Sequence, residues 1–167
     1  MFGNVPRRAA TFLHLPRAFL YRRFMPDATN IWDEVPDWGG AGARRLVRIG
    51  RGLGGSIWEF QSGQPEYVYH FHHGSDELLI VLRGEPKLRT KDGERTLREG
   101  DVVPLPRGHE GARAISNPGS SVARILMLSS NADPDVAEYP ETGKIGVITD
   151  GKTWEFFRRE DAAEHAL

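Results

Sequence analysis

Nine short strand patterns, separated by turn residues, constrain the fold of this 167-residue chain more than any other feature. The runs are rich in β-branched, aromatic and leucine side chains, and no long helical pattern lies between them. They cover residues 44–49, 56–61, 66–72, 78–83, 86–90, 95–98, 101–105, 112–116 and 122–128. This series predicts an all-β protein built as an antiparallel sandwich or barrel.

The third and fourth runs carry a compact group of candidate metal ligands. His70 and His72 are two residues apart on a predicted strand, so they project from the same face. After the turn sequence H-G-S-D, Glu77 begins the next run and can direct its carboxylate at the same volume. Two imidazoles and one carboxylate make a facial set that leaves positions open for substrate or water. Histidines also cluster near strand ends because loops are polar, so this spacing alone does not establish a metal site.

Two segments together resemble the paired motifs of the cupin superfamily. The first resembles G-x5-H-x-H-x3,4-E-x6-G through His70, His72, Glu77 and Gly84, with Gly63 one residue further upstream than the pattern expects. The second resembles G-x5-P-x-G-x2-H-x3-N through Gly100, Pro106 and Gly108. The resemblance covers about residues 44–130. It implies a single-domain cupin, a double-stranded β-helix or jelly-roll barrel with N- and C-terminal arms.

The second motif departs from the family pattern at the position of its histidine, which the resemblance implies is the fourth metal ligand. That position holds Gly111, and two neighbours remain as alternatives, His109 and Arg113. In a branch of small cupins the second motif resembles P-P-G-x-E-G-A-H, which puts its histidine where Arg113 stands. A guanidinium has no acceptor lone pair, so Arg113 is not a metal ligand. We expect His109 as the candidate fourth ligand and Arg113, if it points inward, as the group that binds a substrate carboxylate.

The composition fits one modest domain and restricts the chemistry of the site. Hydrophobic residues make up 39% of the chain and charged residues 27%, and the length is short for two typical domains. There are no cysteines, which excludes disulfides, thiolate zinc sites and a cysteine nucleophile. The ligands are therefore nitrogen and oxygen, and they suit one divalent ion of iron, manganese, nickel or zinc.

The charge distribution bears on the partners. Residues 1–26 contain five arginines and no acidic residue, so the rest of the chain is net acidic. This balance argues against nucleic acid as a partner. Pro6 and Pro16 interrupt the basic segment, and its apolar runs are too short for a signal-peptide core, so we expect no membrane partner and a cytoplasmic protein. The expected division is a basic extension at 1–26, disordered or a misassigned start, an arm at 27–43, the barrel at 44–130 and a tail at 131–167.

The tail predicts one more hairpin. The runs I-G-V-I-T and T-W-E-F-F flank Asp150-Gly151, a dipeptide that suits a tight turn. We expect this hairpin, within residues 145–158, to cover a barrel edge or to contact a second subunit. The resemblance also implies a homodimer.

Side-chain parity makes predictions for the wall of the pocket. Tyr67 and Tyr69 should face away from the histidines, whereas Val68 should share their face. Trp58 should lie in the core. The expected pocket is a small apolar cup with a polar floor.

The functional expectation is a small metal-binding cupin that binds a small organic acid or oxygen-bearing metabolite. Its possible chemistry is oxidation, isomerisation, dehydration or decarboxylation at the metal. The alternative is a non-catalytic, metal-free cupin that binds or senses a small molecule. A sugar-nucleotide epimerase needs a His/Asp or His/Tyr couple in a metal-free pocket, and no spacing in the sequence marks one.

Overall fold

The computed structural model describes residues 30–33, 43–45, 52–150 and 153–162, with the backbone alone for 43–45. These residues form twelve strands and two short 3-10 turns, at His109–Gly111 and Arg159–Asp161. The strands are β1 (Ala43–Arg45), β2 (Gly54–Phe60), β3 (Gln64–His72), β4 (Glu77–Arg83), β5 (Lys87–Thr90), β6 (Gly93–Thr96), β7 (Val102–Leu105), β8 (Arg113–Asn117), β9 (Ala123–Ser129), β10 (Asp135–Tyr139), β11 (Lys144–Thr149) and β12 (Thr153–Arg158).

The strands form two antiparallel sheets, which confirms the predicted all-β class. One sheet has the order β1-β2-β9-β4-β7, and the other has the order β12-β11-β10-β3-β8-β5-β6. Neighbouring strands are often distant in sequence, as where β2 pairs with β9 and β3 with β8. Such crossovers between two facing sheets are typical of a jelly roll.

The main core lies between the two sheets and is built mainly of apolar side chains. Leu79 and Val81 of β4 are buried two residues apart, as strand periodicity requires. They pack with residues of both sheets, including Leu88, Ile115 and Ile125. Full burial of each such side chain stabilises the fold by about 1.5–3 kcal/mol.

A buried amide fixes one end of this core. The side-chain nitrogen of Asn117 donates hydrogen bonds of 2.8 Å to the carbonyl oxygens of Phe60 and Ser121. Asn117 therefore joins the end of β2 to the turn that precedes β9.

The sheet that carries the histidines contains an irregularity with consequences for the site. Tyr67 pairs with Ile115 and His70 pairs with Arg113, so three residues of β3 advance against two of β8. This bulge shifts the alternation of side chains along β3. As a result, Tyr67 and His70 turn to the same face of the sheet despite their odd spacing.

The C-terminal segment extends this sheet beyond β3. β10 pairs with β3 through Ala137 and His72, and β11 pairs with β12 as the sequence predicted for residues 145–158. The sequence did not predict β10. The expectations for residues 1–26 fall outside the described residues, and of the 27–43 arm only residues 30–33 and 43 are described. In the described ranges, no helix is long and apolar enough to cross a membrane.

Candidate functional site

A cavity of about 190 Å³ opens between the two sheets next to the core. The ionisable side chains on its wall come from β3, β4, β8 and β10. They include His70, His72, Glu77, Arg113, Asp135 and Tyr139. The structure thus brings together four of the five site residues that the sequence predicted.

Both imidazoles are oriented by hydrogen bonds at Nδ1. His70 Nδ1 lies 2.7 Å from the carbonyl oxygen of Val68, and His72 Nδ1 lies 2.8 Å from Oδ2 of Asp135. Because these oxygens accept, Nδ1 is the protonated nitrogen in the neutral rings and Nε2 carries the lone pair. Burial, with the nearby Arg113 and His72, lowers the pKa of His70 well below its usual value. His70 is therefore neutral at pH 7.

Asp135 is a buried carboxylate with a full set of donors. Its oxygens accept hydrogen bonds from His72, from the backbone N–H of Gly74 at 2.8 Å and from the N–H of Val136 at 2.8 Å. Burial acts to raise its pKa, but the hydrogen bonds from His72, Ser75 and Gly74 outweigh it and lower the pKa to about 2. Asp135 is ionised at neutral pH and fixes the orientation of His72.

Arg113 points into the cavity and is 4% exposed. Its guanidinium forms an ion pair with Glu77 and donates a 3.3 Å hydrogen bond to the carbonyl oxygen of His70. Burial lowers the pKa of Arg113 to about 10, against the opposing effect of Tyr139, Tyr67 and Asp135. The guanidinium therefore remains a cation at neutral pH, in direct contact with the carboxylate that the sequence assigned to a metal.

His109 lies elsewhere. It is exposed at the start of a 3-10 turn, and its ring contacts Phe71, 5.8 Å away between centroids. Phe71 leaves β3 on the face opposite His70 and His72, so the structure does not bring His109 to the cavity. The family position at Gly111 has no room for a side chain, since an added Cβ would lie 1.8 Å from the carbonyl oxygen of Pro106.

The donors on the cavity wall meet only part of what a divalent metal needs. Two imidazole Nε2 atoms suit such an ion, and Glu77 Oε1 lies 4.0 Å from His72 Nε2. The carboxylate, however, is already neutralised by the buried guanidinium of Arg113, whose charge opposes a second cation. Across the described residues, no group of three or more His, Cys, Asp or Glu side chains is arranged to hold a metal ion. With Arg113 paired to Glu77, the donor set does not fit a divalent metal. Elemental analysis would test the site that the sequence predicts at His70, His72, Glu77 and His109.

Aromatic side chains complete the wall, and two parity predictions were wrong. Tyr67 lines the cavity instead of facing away, and Val68 is exposed instead of facing inward, because the β3 bulge changes the alternation between them and His70. Tyr69 does face away, into a small cluster with Phe71. Trp58 lies at the border of core and cavity.

Two site residues were missed by sequence reasoning, Asp135 and Tyr139. They lie four residues apart on β10 and therefore on the same face of the strand. The turn-like sequence N-A-D-P-D at its start made this strand difficult to predict. The ring of Tyr139 stacks on His70 at 5.4 Å. The alternation D-V-A-E-Y was the available signal, with Asp135, Ala137 and Tyr139 on one buried face.

Comparison with known proteins identifies the class. Residues 56–129 match the family described as "Cupin domain", so this part of the chain is a cupin domain and the fold is the cupin fold. A comparison with curated proteins finds no significant match.

Several solved structures share the fold. One, from Acidithiobacillus ferrooxidans, is named a candidate sugar phosphate isomerase; it is 27% identical, covers 74% of this chain and 81% of its own, and has a TM-score of 0.61. A sugar phosphate isomerase of the cupin superfamily from Silicibacter pomeroyi is 21% identical over 75% and 82%, with a TM-score of 0.63. An uncharacterised double-stranded β-helix protein from Klebsiella pneumoniae is 16% identical over 64% and 91%, with a TM-score of 0.56.

Proposed function

We propose that this protein binds a small hydroxy-carbonyl compound of the sugar class in the cavity and isomerises it by proton transfer. The observation that carries the proposal is the buried His72–Asp135 couple, which opens on the cavity beside Arg113. A histidine with Nδ1 held by a carboxylate has its Nε2 lone pair oriented to accept a proton. The name of the 27% identical relative supports the same reaction class.

Three residues of the cavity have separate roles in the proposed reaction. His72 Nε2 removes a proton from the carbon next to the substrate carbonyl, and the electron pair moves onto the carbonyl oxygen. Arg113 donates a hydrogen bond to the oxygen that becomes negative, which lowers the energy of the enediolate. Glu77, 4.0 Å from Nε2, carries the hydroxyl proton from one oxygen to the other. Return of the first proton to the neighbouring carbon gives the isomer, with no external oxidant or reductant.

The phenols add neutral hydrogen-bond donors. Burial raises the pKa of Tyr67, and burial together with Tyr67 raises the pKa of Tyr139 to about 12. Both hydroxyls therefore stay protonated at neutral pH and can donate to sugar oxygens. The aromatic faces of Trp58 and Trp154, which also line the cavity, suit the apolar face of a sugar ring.

The charges of the cavity favour a substrate whose reacting end, the part that enters the cavity, is uncharged. In the described lining, Arg113 supplies a positive charge, and the carboxylates of Glu77 and Asp135 supply two negative charges. A phosphate inside the cavity would therefore meet no net positive charge. A phosphorylated substrate would have to keep its phosphate at the mouth.

Deuterium exchange tests the proposal. The full chain is incubated in D₂O with aldoses of four to six carbons and with their terminal phosphates, and C2 deuteration and ketose formation are followed by proton NMR. We expect turnover with at least one sugar, lost in His72→Gln and Asp135→Asn but kept in the control His73→Gln, whose side chain is 51% exposed. Binding without exchange would instead leave a non-catalytic sugar-binding protein.

A further inference from the structure

The ion pair of Arg113 and Glu77 lies beside two histidines that are oriented like metal ligands. His70 and His72 keep Nε2 for the cavity, and Asp135 supports His72 as carboxylates support metal-bound histidines. Arg113 faces His70 directly across the β3–β8 pairing. The chain itself thus places a cation, the Arg113 guanidinium, among the side chains of His70, His72 and Glu77.

We propose that the Arg113 guanidinium replaces a divalent metal ion in this cavity, and that the single change Arg113→His converts the cavity into a metal site. The guanidinium neutralises Glu77, holds the carboxylate against β8 and repels a second cation. An imidazole at position 113 would free Glu77 and add a third ring nitrogen. Four donors would then surround one volume, the number that suits a mononuclear site.

The burial of the pair explains why one residue decides the outcome. The side chains of Arg113 and Glu77 are 5% and 11% exposed, so neither charge is well hydrated. Removal of one partner leaves the other as an uncompensated buried charge. When Arg113 is lost, Glu77 must gain a proton or recruit another cation. With two oriented imidazoles beside it, a divalent metal is the cation best held.

The role of Arg113 toward the substrate oxygen rests on the proposed isomerisation, but the replacement of the metal does not. Metal content is measured without a substrate. A protein that shows no isomerase activity can still confirm the replacement, and an active isomerase can still refute it. The two proposals therefore fail separately.

Cobalt(II) is the probe, because its visible absorption reports coordination as well as content. Full-length wild type, Arg113→His, Arg113→Lys and the double variant Arg113→His/His72→Gln are dialysed against cobalt(II), then against metal-free buffer, and analysed by plasma mass spectrometry. We expect essentially no cobalt in wild type and in Arg113→Lys, which keeps the charge. Arg113→His should hold about one ion per chain with a d–d absorption band, and the double variant should lose it.

Two results would overturn the inference. One is wild-type protein that retains about one ion per chain. The other is folded Arg113→His, shown by circular dichroism, that retains none. If Arg113→His does not fold, Arg113→Gln gives the same information, because it frees Glu77 without adding bulk. Its cobalt content must then exceed that of Arg113→Lys, and equal values would refute the role of the charge.

Discussion

His72 donates a 2.8 Å hydrogen bond to the carboxylate of Asp135, a residue 63 positions later in the chain. The bond crosses from β3 to its neighbour β10, and the same carboxylate accepts from the backbone of the turn after β3. One side chain therefore joins the tail to the histidine strand and orients the candidate base.

Asp135→Ala should destabilise the fold. The change leaves the part-buried N–H groups of Gly74 and Val136 without their 2.8 Å acceptor, and we expect a total cost of about 1–3 kcal/mol, the usual cost of an unsatisfied buried group. Chemical denaturation should show a loss in that range. Glu160→Ala, at an exposed ion pair, serves as the control and should change stability by less than about 0.5 kcal/mol. Equal effects of the two changes would show that the carboxylate is not structurally important.

Gly111→Ala should be poorly tolerated. An alanine Cβ would meet the carbonyl oxygen of Pro106 at 1.8 Å, so the 3-10 turn would have to move, at a cost of about 1–3 kcal/mol or more. Gly52 has no atom within 4 Å of an added Cβ, and Gly52→Ala is the matched control. A melting temperature for Gly111→Ala equal to that of the control would contradict the close contact.

His70 should make the fold sensitive to mild acid. Its pKa in the folded chain lies well below 6.5 because of burial, Arg113 and His72. As the pH falls, this imidazole therefore gains a proton in the unfolded chain before it does so in the folded chain. Stability from this group is complete above pH 6.5 and falls as the pH drops below it, by at most about 1.4 kcal/mol for each pH unit. His70→Gln should show a smaller fall in melting temperature from pH 7.5 to 5.5. Tyr67, Tyr139 and Arg113, which also face this ring, do not titrate in that range.

β12 should form part of a homodimer interface. It lies at the edge of its sheet, and Trp154, Phe156 and Phe157 are 41%, 56% and 53% exposed. An edge strand with exposed aromatic side chains favours pairing with a second copy. Light scattering should give the mass of a dimer for wild type and of a monomer for Phe157→Glu. A monomeric wild type would contradict this prediction, and Lys144→Glu, a charge reversal at an exposed position of the neighbouring strand β11, is the control.

Features that depend on neighbouring residues in the sequence were predicted correctly, whereas features that depend on a partner strand were not. The spacing of His70 and His72 placed both rings on one face, since strand alternation is local. Glu77 was placed correctly at the start of the next strand. Tyr67 was misplaced because a bulge depends on the partner strand, which the alternation within β3 does not reveal.

Asp135 and Arg113 show what only the tertiary structure decided. The sequence by itself determined the all-β class and the two imidazoles, because both follow from patterns within a few residues. That Asp135 supports His72 depends on β10 joining β3, a pairing between segments about 60 residues apart. That Arg113 neutralises Glu77 depends on β8 and β4 facing each other from different sheets. The chemistry of the cavity was set by packing across the core, where the electrostatics of a buried pair depend on which groups the fold brings into contact.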